Sequence, residues 1–286
     1  MRSQKFLRDE LRFMTEFNTL FDVIQQTAVA QLRRADEQRA GQWGLAEVLA
    51  RDYFPLLPPE AQGEFLVRGG AAGRLVVAVT SDEGFAGPLH AGVIRKALED
   101  ADATTHWILV GQRGRRLLGS QARLRVMPMP VDDEAEQQMR RLARSVIAQY
   151  GREQLRDAWL VAPHHLSAAR QTIVAHQLLP LPIGTPAAGM SSHELVVEPS
   201  LRQVVELLAA WWVESVCLES LWSARRAEFA ARALHMERSR QDLAKHRQRV
   251  RYEFFKQLHG RVDVMVRETC VVQRVSAARR AAQGAR

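Results

Sequence analysis

Apolar residues recur at helical spacing, with no helix breaker among them, at both ends of the chain. From Leu201 to His259 there is neither proline nor glycine. Globular helices usually stop after about ten to fourteen residues, so a run of this length predicts a rod. Its first third is apolar: Val204, Val205, Leu207, Leu208, Trp211, Trp212, Val213 and Val216. A thinner seam continues through Leu243, Val250, Phe254, Leu258, Val262 and Met265. At about 1.5 Å per residue, a helix from Leu201 to Ala282 would be roughly 120 Å long and is expected to lie largely against another chain. The first 40 residues also lack both breakers, and Leu7, Leu11, Met14, Asn18, Phe21, Gln25, Ala28 and Leu32 follow in strict 4-3 spacing. That narrow stripe is the seam of a coiled coil, with polar Asn18 and Gln25 suited to fixing register. The pattern fades through Gly41 and Gly44 and stops by Pro55.

Between these ends the pattern alternates. Arg74–Thr80, His106–Val110, Arg123–Met127 and Ala158–Ala162 are short β-rich runs. Leu89–Leu98 and Asp132–Tyr150 are helical, the second opening on two aspartates that suit a helix N-terminus. Leu178–Pro182 is expected to leave the sheet and Leu195–Val197 to form a last short strand. Pro199 and Ser200 then signal the start of the long helix. Strands alternating with helices predict a Rossmann-like, mainly parallel α/β domain. The expected organisation is a coiled-coil helix over 1–54, the α/β domain over 70–197, and a long coiled-coil helix with a basic tail over 198–286. The two end helices would pair as an antiparallel coiled coil.

The formal net charge of +8 and pI near 10.2 suit an acidic or polyanionic partner. The excess concentrates between Arg225 and Lys256, where ten Lys/Arg face only Glu228, Glu237, Asp242 and Glu253. Cys217 and Cys270 have no disulfide or metal spacing, which points to a reducing compartment. The N-terminus does not read as a signal peptide, and no run of 18 uncharged apolar residues occurs. Neither phosphate-cradle motif, Gly-x-x-x-x-Gly-Lys-Ser/Thr or Gly-x-Gly-x-x-Gly after a strand, is present. His164-His165 lies at a strand end but lacks spaced metal partners, and Trp211-Trp212 falls in the apolar third, where packing explains it. No catalytic residue, cofactor or metal is expected.

Several local words occur in a familiar order. They are Ala28-Val-Ala-Gln-Leu-Arg-Arg-Ala-Asp36, Val77-Ala-Val-Thr-Ser-Asp-Glu-Gly-Phe-Ala-Gly-Pro-Leu-His90, Gln177-Leu-Leu-Pro-Leu-Pro182, Glu198-Pro199, Trp212-Val-Glu-Ser215 and Glu228-Phe-Ala-Ala-Arg-Ala-Leu-His-Met236. Over nearly its whole length the chain resembles the gamma subunits of F-type ATP synthases. Departures include Glu83 where a basic residue is usual, Ala86 where cysteine is usual, and His259 and Asp263 where the family has Gln and Thr. The resemblance implies a central-stalk rotor, turning inside a ring of alpha and beta subunits, with an epsilon subunit and a membrane ring of c subunits as further partners. It would sit peripherally on the cytoplasmic face of a bacterial inner membrane. The ring-facing residues implied are Arg33, Arg34, Arg232, Met236, Arg247, Arg249, Arg251, His259, Asp263 and Glu268. The foot and epsilon contacts implied are Ser81, Asp82, Glu83, Gly84, Gly87, Val197 and Glu198. Alternatives are a gamma-like rotor of a second, sodium-linked ATPase and a basic coiled-coil adaptor for a polyanion.

Overall fold

The computed structural model describes residues 3–39, 44–121, 123–183 and 198–283. Helix α1 spans Gln4–Arg39 and α7 spans Leu201–Gln283, with α2 Leu45–Val48, α3 Phe65–Arg68, α4 Leu89–Leu98, α5 Arg113–Leu118 and α6 Ala135–Arg152 between them. The strands are β1 Ala72–Val79, β2 His106–Val110, β3 Leu124–Met127, β4 Leu155–Ser167 and β5 Arg170–Leu179. They form one sheet in the order β3-β2-β1-β4-β5, parallel except for the antiparallel edge pair β4–β5.

The chain divides into two compact units, one comprising 26–235 and the other 1–25 with 236–286. This division cuts through both end helices and does not fall at residue 198. The physical reason lies in the first unit, where the apolar third of α7 belongs to the core. Val205, Leu208, Val213, Val216 and Leu221 are buried with α6 residues Met139, Leu142 and Val146 against Leu75, Val77, Ile108 and Leu160 of the sheet. The other sheet face carries Val76, Ala78, Trp107 and Leu109 against Val93, Ile94 and Ala97 of α4. Every residue of β2 is buried, as a strand covered by helices on both faces requires.

Strand β5 is a correction to the sequence reading, which ended the sheet before Leu178. Leu178 and Leu179 are fully buried and Leu179 pairs with Ala158. The β4–β5 connection is Ala168-Ala169, which lacks the Asn-Gly or Asp-Gly signal that marks a tight hairpin, and Thr172–Leu178 does not alternate cleanly between apolar and polar residues, so the strand escaped notice. The expected strand Leu195–Val197 lies outside the described residues. Ser200 does open α7, its Oγ accepting the Gln203 N–H at 3.3 Å.

In the second unit, Leu7, Met14 and Val250 are buried together, flanked by Leu11, Leu243 and Phe254. Arg240 pairs with Asp22 at 2.9 Å and donates to Gln25 Oε1 at 2.7 Å, so one polar seam residue is satisfied across the pair. His246 lies 3.4 Å from Glu10, and Arg261 donates to Gln4 at 2.8 Å. Early residues of α1 meet late residues of α7, which is the antiparallel sense expected.

Candidate functional site

In an open α/β sheet, ligands bind beyond the carboxyl ends of the strands, where the strand order switches direction. Here that point lies between β1 and β4. The loop leaving β1, Thr80–Pro88, occupies this end together with α7, and polar groups bind the two to each other. Ser81 Oγ donates to Glu228 Oε1 at 2.6 Å and accepts the Glu83 N–H at 2.9 Å. Arg232 ion-pairs with Glu228 and with Glu83, the latter at 2.9 Å, and its Nε donates to the Gly84 carbonyl at 3.1 Å. The guanidinium also lies 5.7 Å from the Phe229 ring centroid. Burial pushes the Glu228 carboxyl above its usual range, against the opposing pull of Ser81 and Arg232.

Asp82 ties the loops together. Its two carboxylate oxygens accept the Gln112 N–H at 2.8 Å and the Met129 N–H at 2.7 Å, joining the ends of β1, β2 and β3. Thr80 Oγ1 lies 2.9 Å from the Val110 carbonyl and 3.0 Å from that of Gly111. Gly111 has φ +81°, and a Cβ there would stand 2.6 Å from the Ser81 nitrogen, so only glycine fits. His90 is buried beside this loop. Desolvation, with the charges of Arg232 and Arg113, drops its pKa to about 4, so it is neutral.

Two further arginines of α7 turn inward. Arg226 pairs with Asp36 at 2.6 Å. Arg225 pairs with Asp132, donates to the Pro130 carbonyl and stacks 5.0 Å from the Trp222 ring centroid. A cleft of about 350 Å³ beside them is lined by Gln31, Arg34, Ser81, Asp82 and Glu228 among others. The carboxylates of Asp82, Glu83 and Glu228 are all taken up by internal partners. The arrangement holds a loop rigidly against a helix.

The residues singled out by sequence therefore separate. Arg232 and Met236 are buried, so neither lies on the surface where the sequence reading put it. Arg33, Arg34, Arg247, Arg249, Arg251, His259, Asp263 and Glu268 are exposed. Ser81, Glu83 and Gly84, expected at a foot, meet Arg232, expected at the ring. Gly87 adopts φ +58° next to His235. Glu198 is exposed just ahead of α7, and Val197 lies outside the described residues. Sequence reasoning missed the buried pairs of Arg225 and Arg226. Its signal was available in the flanking Trp222 and Phe229, which mark an apolar face within the charged stretch.

A protein-family profile described as ATP synthase matches residues 5–256. The chain belongs to that family. The ATP synthase gamma chain of Moorella thermoacetica is 26% identical over 259 residues, covering 85% of this chain and 88% of that one. The gamma chain of Staphylococcus aureus is 22% identical over 260 residues, covering 83% and 86%. Among solved structures, a chain of the Euglena gracilis mitochondrial ATP synthase OSCP/F1/c-ring, in rotational state 3, superposes with a TM-score of 0.67 at 16% identity, covering 96% and 95%. A chain of the Tetrahymena thermophila central stalk/c-ring structure gives 0.55 at 18% identity, covering 77% and 99%. These superpositions establish the shared fold. As a gamma-family member, the chain is a central-stalk subunit of a rotary F-type ATP synthase. Its Rossmann-like sheet carries α7 at the strand ends where nucleotide enzymes of similar topology hold a cofactor.

Proposed function

We propose that the chain is the rotor that couples ion flow through a ring of c subunits to ATP synthesis or hydrolysis in a ring of alpha and beta subunits, and that it performs no chemistry itself. Rotation would present different faces to each catalytic site in turn, biasing its open and closed states. The observation that carries this reading is the far end of α7. From Arg261 to Val275 every residue is exposed, among them Val262, Met265, Val266, Val271 and Val272. A helix this apolar calls for a protein sleeve around it. The exposed Arg247, Arg249 and Arg251 supply screened contacts, each worth about 0–1 kcal/mol, which suit a turning surface better than a fixed one. Arg33, Arg34, His259, Asp263 and Glu268 are the further ring-facing groups. The α/β body would receive the epsilon subunit, and Glu198 remains a candidate for the foot.

A peripheral place on the cytoplasmic face of a bacterial inner membrane fits this role. Among the described residues no helix is long and apolar enough to cross a membrane. Co-expression with the cognate alpha and beta subunits, followed by size-exclusion chromatography and an ATPase assay with and without the chain, tests the proposal. A stoichiometric complex whose turnover depends on the chain is expected. A chain that elutes apart from the ring would contradict it.

A further inference from the structure

Two doublets in the sequence, His164-His165 and Trp211-Trp212, take no part in the site described above. One member of each, His164 and Trp212, lines a cavity of about 230 Å³ between α2, the β4–β5 hairpin and α7. The period-two alternation of strands puts Ala162 and His164 on one face of β4, with Val174 and His176 on the same face of β5, and Ala162 pairs with Val174. Val216, Glu219, Ser220 and Ser223, three and four residues apart, form the facing stripe of α7. Glu47 of α2 completes the polar lining.

The chemistry of this lining is one-sided. Glu47, Glu219, His164, His176, Ser220 and Ser223 can all accept a hydrogen bond. No Lys or Arg stands among the described lining residues, in a chain that carries 40 of them. Ser220 is only 6% exposed, and its hydroxyl has no hydrogen-bond partner among the described residues. A buried hydroxyl in that state is a cost that a ligand removes. Ser223 Oγ accepts the His165 N–H at 3.1 Å and lies 3.0 Å from His164 Nδ1, which orients the His164 ring. Desolvation, and then His164, hold the His176 pKa below its ordinary 6.5, so at neutral pH it offers a lone pair rather than a charge. Among the described residues no three His, Cys, Asp or Glu side chains stand close enough to hold a metal ion, so the lining suits a cation that brings its own N–H donors.

We propose that this cavity binds a small primary ammonium ion. Glu219 and Glu47 meet its charge, Ser220 and His176 accept its N–H groups, and Trp212 with the apolar floor of Ala162, Val174 and Val216 holds its short alkyl chain. An indole is the aromatic side chain best suited to a neighbouring cation. The volume of about 230 Å³ exceeds the roughly 30 Å³ share of one water several-fold, as an alkylammonium of a few carbons requires. Every residue named lies within the 26–235 unit, so the inference is independent of the rotor reading. A bound ammonium joins α2, the hairpin and α7, and so stabilises that unit.

The test titrates the full chain with propylammonium chloride, with saturation-transfer NMR reporting binding and urea unfolding reporting stability. Saturable binding with a Kd of about 1 mM or tighter is expected, together with a raised urea midpoint that sodium chloride at the same concentration does not give. Glu219→Gln should weaken binding about tenfold or more and Ser220→Ala about threefold, while Glu206→Gln, on the same helix but outside the cavity, should leave it unchanged. Propionate, of similar size and opposite charge, should not bind. Ser220→Ala keeps both carboxylates and carries the test if Glu219→Gln does not fold. Propylammonium that gives no saturable signal at about 10 mM overturns the site, as does propionate binding equally well. Folded Ser220→Ala and Glu219→Gln chains that bind as the parent does overturn it too.

Discussion

Arg232 and Glu228 form a buried ion pair whose two members are not equivalent, and the difference predicts an ordering of variants. Their side chains are only 5% and 7% exposed. Glu228 is held by two polar partners, Ser81 and Arg232, and only the second carries charge. Arg232 has three: Glu228, Glu83 and the Gly84 carbonyl. Arg232→Met therefore strands a buried carboxylate and should cost about 3–5 kcal/mol. Glu228→Leu leaves Arg232 with Glu83 and Gly84, so it should cost less, about 1–3 kcal/mol. The double variant removes both charges and leaves mainly the Gly84 carbonyl and the Ser81 hydroxyl short of a partner, at about 1–2 kcal/mol. Urea unfolding of the four chains gives the cycle, with a coupling energy of about 2–7 kcal/mol. The pH dependence supplies a second check. Burial already raises the Glu228 pKa above its ordinary 4.5, and loss of Arg232 raises it further. The folded state then binds protons before the unfolded state does, so stability falls as pH rises through this window. Arg232→Met should accordingly regain stability as pH is lowered toward about 4.5. A single Arg232→Met variant within about 1 kcal/mol of the parent, or a double variant worse than both singles, would refute this account of the pair.

His90 behaves oppositely. Its folded pKa of about 4 lies below the ordinary 6.5, so the unfolded state takes up the proton first and stability should be lost as pH falls from 6.5 toward 4, by at most about 3 kcal/mol. Proton uptake by nearby Glu228 partly offsets this loss, and His90→Leu should flatten the slope in pH-dependent thermal melts. Asp82→Ala removes two charge-assisted acceptors from the Gln112 and Met129 amides and should lower stability by about 2–3 kcal/mol, seen as a reduced urea midpoint. Charge reversal of Arg247, Arg249 and Arg251 to Glu should lower coupled ATP synthesis in the reconstituted complex while leaving the circular dichroism melt of the chain unchanged. Unaltered synthesis would remove these arginines from the partner surface.

Much of the fold was legible because its period was clear. The seam from Leu7 to Leu32 alternates buried or half-buried positions with exposed ones as a coiled coil should, and β2 runs from His106 to Val110 as read. Legibility failed where tertiary context outweighed composition. Arg225, Arg226 and Arg232 read as part of a basic surface offered to an acidic partner, yet each finds a carboxylate far away in sequence or one helical turn away and turns inward. Spacing along one helix does not show which of its charges meet an acid from another element. The loop Ser81–Gly87 was found by its words, but its attachment to α7 joins residues nearly 150 positions apart, as Ser81 and Glu228 illustrate. Strand β5 was hidden by a turn without glycine or asparagine.

Rotation itself is the most direct test of the rotor account. With the alpha and beta ring immobilised, a bead can be attached through Leu166→Cys, an exposed position at the end of β4, in a chain whose exposed Cys270 has been changed to serine. Addition of ATP should drive the bead continuously in one direction. A complex that hydrolyses ATP while the bead stays still would contradict the central claim.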